Sequence, residues 1–389
     1  MDKTQPLSAP LPRILVSALI PKSSTSDLLA AWTDLGLGRL TVVPGRSSML
    51  QKRYGLAAMF SGETILAADS ADSVSALISP ASENAVMNRA AECLRLDQPG
   101  RGTLIAREVN VLGSHAACLE SEATGKAEAS LPFIADLTGV VCIVQRSEGD
   151  QIARVVLDSG ACVPITNFGD GTGLRDKLGL LRITIPAEKE VVTAVVSAFD
   201  AELIIEKLIQ AGKLDQPGRG FLYTFPIRRG TVNNRITVDG GAGQAASQEQ
   251  IVASIDHLRG GIEWRRRGDG GGTNSRRVFL SGENLEILCN EGRASDLVKA
   301  AMAVGASGAT IGKAKAPQRS GKTDAGPTPA REIATLMVPA EKIPAILGAL
   351  QGAGAFDDST YGMVFSHPVP KAFTYLPRPA KGAVAPKSP

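Results

Sequence analysis

The sequence predicts an α+β fold built from three βαββαβ repeats within one chain, and three observations carry that prediction. The heptapeptide LDQPGRG occurs twice, at 96–102 and 214–220. Both copies leave an Ala- and Leu-rich helical stretch and enter a strand-like run, as "AAECLRLDQPGRGTLIA" and "KLIQAGKLDQPGRGFLY" show. A third, eroded copy follows. "AGAFDDSTYGMVFSHPV" matches "AGKLDQPGRGFLYTFPI" with Gly354 on Gly212, Asp357 on Asp215 and Gly362 on Gly220, while Thr360 and Tyr361 replace Gly218 and Arg219. Pro and Gly favour a helix-to-strand turn for local reasons, but turn chemistry does not ask for the Leu-Asp-Gln before them. The copies therefore read as homologous.

In the first repeat (11–115), "RILVSALI" is an apolar strand, and "TSDLLAAWTDLG" places Leu28, Leu29, Trp32 and Leu35 at helical spacing behind a Thr/Ser cap, with a stop at Gly36. "RLTVVPG" is the second strand, followed by a long variable loop to about Ala71 that carries Met49, Tyr54, Met59 and Phe60. "SVSALISP", "ASENAVMNRAAECLR", the motif and "TLIAREV" give strand, helix, turn and strand. The second repeat (131–230) runs "TGVVCIVQ", helix "EGDQIARVVLDSG", strand "CVPITNF", strand "LLRITIP", a helix from Ala187 to about Ala211, the motif and "FLYTFPI". Pro186 stands much farther before Leu214 than Pro80 before Leu96, which implies either a second helix longer by about three turns or an interruption near Phe199-Asp200. The third repeat (282–372) runs "ENLEILCN", "RASDLVKAAMAVGA", "GATIGKAKA", a loop, and then strand, helix, eroded motif and strand. Between repeats two and three lies a Gly/Arg-rich insertion (231–281) with one short helix, "SQEQIVASIDHL", and a hairpin-like "GIEWRRRGDGGGTNSRRVFL". The tail (373–389) is Pro- and Lys-rich, the composition of a disordered segment.

Two interlocked βαβ units give a four-stranded antiparallel sheet with both helices on one face, the ferredoxin-like arrangement. Strands such as "VVCIV" and "LLRITI" are apolar on both sides, so the bare sheet face needs a cover. The economical cover is the other two sheets, packed around a pseudo-threefold axis as an intramolecular pseudo-trimer.

Composition narrows the function. The 389 residues carry 42 basic and 39 acidic side chains, net +3, too balanced for strong attraction to nucleic acid. Cys93, Cys118, Cys142, Cys162 and Cys289 show no C-x-x-C spacing, and His115, His257 and His367 stand far apart, so neither zinc nor a disulfide framework is indicated. No Ser-His-Asp or paired-carboxylate arrangement recurs between repeats, which points away from an enzyme. No apolar run approaches the ~20 residues of a membrane span, and the start lacks a signal-peptide core. A cytoplasmic protein is expected.

At the turn the sequence resembles the PII signal-transduction superfamily, whose βαββαβ unit has a long loop between strands two and three and a Gly-x-Gly turn before strand four. In the second repeat "LRITIPAEKEVV" through "EKLIQAGKLDQPGRGFLYTFPI" is similar to that family's strand three, helix two, turn and strand four. The resemblance implies trimer-like packing, ATP or ADP in the clefts between repeats, and loops that grip a regulated enzyme or membrane transporter. By position it implies a ligand site at Gly100, Arg101 and Gly102, at Gly218, Arg219 and Gly220, at Gly45 and Arg46, at Gly169 and Gly171, and at Arg228 and Arg229. The family's Asp and Lys positions in the turn are Arg and Thr103 or Phe221 here. Paired glycines let a backbone approach an anion closely and turn N–H groups toward it. A structural scaffold that has lost the ligand is the alternative.

Overall fold

A computed structural model describes residues 6–52, 64–115, 132–172, 187–236, 279–317 and 329–375. These form an α+β structure, chiefly strands, with six short α-helices. The first unit comprises β1 (Pro6–Pro21), α1 (Thr25–Asp34), β2 (Leu40–Lys52), β3 (Thr64–Ile78), α2 (Glu83–Leu94) and β4 (Thr103–Ser114). The second comprises β5 (Leu137–Gln145), α3 (Gly149–Asp158), β6 (Ile165–Gly171), β7 (Glu188–Ser197), α4 (Ala201–Ala211) and β8 (Gly220–Ile227), with a short continuation β9 (Arg229–Thr231). The third comprises β10 (Leu280–Asn290), α5 (Ala294–Ala303), β11 (Thr310–Lys315), β12 (Ala330–Val338), α6 (Ile343–Gly352) and β13 (Met363–Thr374).

Within each unit the strands pair antiparallel in the order fourth, first, third, second: β4-β1-β3-β2, β8-β5-β7-β6 and β13-β10-β12-β11. Two element assignments from sequence are corrected. The third strand of the second unit is Glu188–Ser197, where a helix from Ala187 is expected, and the expected strand at 180–186 lies outside the described residues. The cause is β-branching: Val191, Val192, Thr193, Val195 and Val196 are stiff at χ1, favour the pleated surface, and zip onto β5 from Gln145↔Lys189 to Leu137↔Ser197. The helix is thereby confined to the 11 residues of α4, no longer than the 12 of α2: the interruption falls near Phe199-Asp200, the second of the two alternatives, and the three extra turns are absent. In the first unit, the expected variable loop is largely a ladder, with β2 and β3 paired from Leu40↔Ala76 to Lys52↔Thr64. Met49 lies on β2, while Tyr54, Met59 and Phe60 lie outside the described residues, as do the insertion's expected helix and hairpin and the tail beyond Tyr375.

Between units the pairing runs in a circle. The end of β4 pairs with the start of β13 (Ser114↔Met363 to Asn110↔Ser366), and the end of β13 with the start of β8 (Thr374↔Phe221 to Ala372↔Tyr223). β9, the continuation of β8, pairs with the start of β4 (Ala106↔Arg229 to Leu104↔Thr231). The second strands repeat the circle: β6 opens on β2 (Ile165↔Ser47), β11 opens on β6 (Thr310↔Gly171), and the far end of β11 meets the start of β2 (Lys315↔Val42). The ladder thus closes on itself as an antiparallel barrel, and among the described residues few strand edges are left to pair with another chain.

Each unit packs its two helices on one sheet face. Trp32, Leu28, Val86 and Met87 fill the first core, Ile152, Val156, Ile204 and Leu208 the second, and Leu297, Val298, Ile346 and Phe356 the third. The opposite sheet faces are buried against one another: Leu19, Ile105, Val141, Ile165, Val195, Tyr223 and Val369 form one inner cluster, and Leu15, Val109, Val111, Met363 and Phe365 another. The cover that the apolar sheet faces require therefore comes from the neighbouring sheets.

Candidate functional site

The two LDQPGRG turns and their eroded counterpart each sit where one unit meets the next. Gly100 adopts φ +82° and Gly218 φ +71°, the left-handed region that favours glycine, so both turns need it at this place. In the third turn the positive φ falls one position later, on Tyr361 (+49°), which is tied down by neighbours. Buried Arg331 donates to the Tyr361 carbonyl (2.9 Å), Arg293 donates to Thr360 Oγ1 (3.2 Å), and the His115 ring stacks on the Tyr361 ring at 4.3 Å while its Nε2 meets Asp358 Oδ1 (2.7 Å). These contacts hold the third turn in place.

The basic and glycine candidates separate into distinct groups. Gly45 and Gly169 are points of close strand contact: a Cβ on Gly45 would stand 2.6 Å from the Thr166 carbonyl oxygen, and one on Gly169 2.8 Å from that of Ile311. Gly171, at the end of β6, faces the Lys189 side chain, whose Cε would lie 2.9 Å from an added Cβ. Arg46 reaches into the second unit, to Asp150 Oδ1 (2.8 Å) and Glu190 Oε1 (3.1 Å). Arg101 donates to Gln98 within its own turn (3.2 Å), and Arg219 to Glu148 (2.8 Å). Arg228 and Arg229 both meet buried Glu83 at the start of α2 (3.2 and 2.7 Å), and Arg228 also meets Glu108 (2.6 Å). Lys371 of β13 makes the corresponding contact with Glu202 at the start of α4. These two Arg residues therefore join the fourth strand of the second unit to the second helix of the first, some way along β4 from the Gly100 turn, to which they point no guanidinium.

The structure adds residues that sequence patterns do not single out. A carboxylate on each third strand receives donors from the start of its unit's first helix: Asp72 from Thr25 Oγ1 (2.7 Å), Glu190 from Gly149 N–H (2.7 Å), and Glu332 from Gly292 and Ala294 N–H (3.0 Å each). At the Gly100 turn the chain leaving β9 crosses the cleft. Gly100 N–H donates to Asn233 Oδ1 (3.1 Å) and Asn233 N–H donates to Thr103 Oγ1 (2.9 Å). Beside them lies a cavity of about 50 Å³ lined by Ser47, Met49, Asp69, Val163 and Ile165 among others. The Asn-Asn pair after a strand is a turn signal, the one hint of this in the sequence.

A third polar group lies between the sheets. Arg107, Phe225 and His367 occupy equivalent places on the three fourth strands, opposite Leu15, Gly139 and Asn284. Arg107 Nη2 meets Glu286 Oε1 at 2.6 Å, His367 Nε2 lies 3.5 Å from the same oxygen, and the Arg107 guanidinium lies over the Phe225 ring at 5.1 Å. Burial pushes the Glu286 carboxyl up, but the Arg107 charge and the His367 hydrogen bond outweigh it and hold the group down at about 2. Buried thiols go the other way: desolvation pushes Cys142, Cys162 and Cys289 up to about 12, which leaves them protonated and unreactive at neutral pH. Among the described residues no group of three or more metal-ligating side chains assembles, and no helix is long and apolar enough to cross a membrane.

No family model matches the sequence, and no curated protein matches it. Among solved structures, GlnK of B. subtilis matches 25% of this chain and 85% of its own, at 16% identity and a TM-score of 0.20.

Proposed function

We propose that the chain is a non-enzymatic, PII-like regulatory protein in which three ferredoxin-like repeats close as an intramolecular pseudo-trimer and the loops between second and third strands engage a partner protein. The observation that carries this reading is the circular pairing of the fourth strands, each ending on the start of the next. A ring completed within one chain has no need of two further copies, so the protein acts as a monomer. The three loops differ in length, so a partner, an enzyme or a membrane transporter, meets one asymmetric face.

The finer part of the proposal is an adenine nucleotide, ATP or ADP, whose phosphates meet the Gly100–Gly102 and Gly218–Gly220 turns. The glycine backbone there supports it. A scaffold without ligand is favoured by a different observation: Arg46, Arg219, Arg228 and Arg229 all spend their charge on carboxylates of the protein itself. Isothermal titration of the full chain with ATP and ADP separates the two. Saturable heat at micromolar protein, lost in an Arg101→Ala, Arg219→Ala double variant, supports the sensor; no heat with either nucleotide leaves the scaffold.

A further inference from the structure

The cleft at the Gly100 turn is occupied by the protein's own chain. Residues 232–236 run across it and touch both units. Asn233 accepts from Gly100 N–H through its side chain (3.1 Å) and from Val163 N–H through its carbonyl (3.1 Å), while Ile236 O accepts from Leu50 N–H (2.8 Å). The Arg235 side chain lies over the turn, its Cδ 2.7 Å from where a Cβ on Gly100 would stand. The cavity left beside this stretch, about 50 Å³, is far below the ~300 Å³ at which pockets for small ligands begin. A carboxamide oxygen on a backbone N–H is the neutral counterpart of a phosphate oxygen on the same donor.

The other two turns are also met by the chain at the end of a neighbouring fourth strand, but there the turn accepts rather than donates. His115 N–H donates to the Gly362 carbonyl (2.8 Å), and Thr374 Oγ1 donates to that of Gly220 (3.1 Å). The contacts differ in their surroundings. His115 is buried and stacked, whereas Asn233 is half-buried and held by neutral hydrogen bonds. A hydrogen bond to a charged group is stronger than a neutral one. Exchange of the Asn233 oxygen for an anionic oxygen is therefore favourable at this turn.

We propose that residues 232–236 are a displaceable strap that fills the first cleft, and that an oxyanion, the phosphate of a nucleotide, enters by taking the place of Asn233. The proposal rests on the nucleotide reading above, and the test keeps the two apart. Full-length wild type, Asn233→Ala and Asn233→Asp are compared by amide hydrogen exchange at Leu50 and Val163 without ligand, and by titration with ATP and with inorganic phosphate. Loss of the strap's side-chain anchor speeds exchange at both amides by about tenfold in Asn233→Ala and tightens ATP binding by a similar factor. Asn233→Asp keeps the acceptor, and with it the protection, but repels the anion and does not bind. Unchanged exchange in Asn233→Ala overturns the strap. Equal ATP affinity in wild type and Asn233→Ala overturns displacement while leaving the nucleotide reading standing. No binding by any of the three, with exchange accelerated in Asn233→Ala, ends the nucleotide reading and makes the stretch a permanent tie, which also overturns displacement.

Discussion

Glu286→Gln is the substitution whose consequence follows most directly from the inner polar group. Glu286 and Arg107 are 9% and 12% exposed and touch at 2.6 Å across the boundary between the third and first units. Removing the carboxylate charge leaves the guanidinium buried without its counter-charge, a loss of about 3–5 kcal/mol. The acid behaviour gives an independent figure. The Glu286 carboxyl titrates at about 2 in the fold against an ordinary value of 4.5, so between those two values the unfolded chain binds the proton and the folded chain does not. Its contribution to stability is complete above pH ~4.5 and is lost as the pH falls towards ~2, a total of roughly 3 kcal/mol. Urea denaturation of wild type and Glu286→Gln across pH 7 to 3 reads both effects. The variant starts about 3–5 kcal/mol less stable and lacks this acid-dependent loss. The Arg107→Met, Glu286→Leu double variant, which replaces the pair by apolar side chains, recovers most of the loss. Equal stability of wild type and Glu286→Gln at pH 7, with superimposable acid profiles, would refute the reasoning.

Other substitutions test other contacts. Gly139→Ala places a Cβ 2.1 Å from the Phe225 ring, which is packed against His367 and Arg107, so a loss of about 1–3 kcal/mol is expected in thermal or chemical unfolding. Arg229→Ala leaves Glu83 with Arg228, whereas Arg228→Ala, Arg229→Ala removes both cations from a carboxylate that is 6% exposed. The double loss exceeds the sum of the singles, by about 1 kcal/mol or more in a double-mutant cycle. Gly220→Val is expected to disrupt the fold rather than a ligand contact, because its Cβ would stand 2.3 Å from the Ile143 carbonyl oxygen in the β5–β8 ladder. Far-UV circular dichroism and solubility report it.

The order of elements was legible because it depends on local signals: a repeated turn, helical spacing at Leu28 and Trp32, and strand runs such as "ENLEILCN". The position of β7 was not, because "EKEVVTAVV" lies between Pro186 and a long helical stretch, and its β-branched residues compete with an Ala- and Glu-containing helix pattern until β5 supplies a partner. The candidate site was legible only as a set of glycines and cations. What each does is settled by residues far away in sequence. Arg46 finds Glu190, Arg228 finds Glu83 and Gly100 finds Asn233 only once the units close on one another. Nor does the sequence distinguish a glycine needed for a close strand contact, as at Gly45, from one needed for a turn, as at Gly100.

The central claim is that one chain completes the ring, since the ends and starts of the fourth strands all find partners within it. The mass of the native protein in solution at micromolar concentration, by light scattering, tests this most directly. The account predicts the mass of a single chain, 40.5 kDa. A stable assembly of three chains would contradict it, because it would mean that the units still require neighbours from other copies.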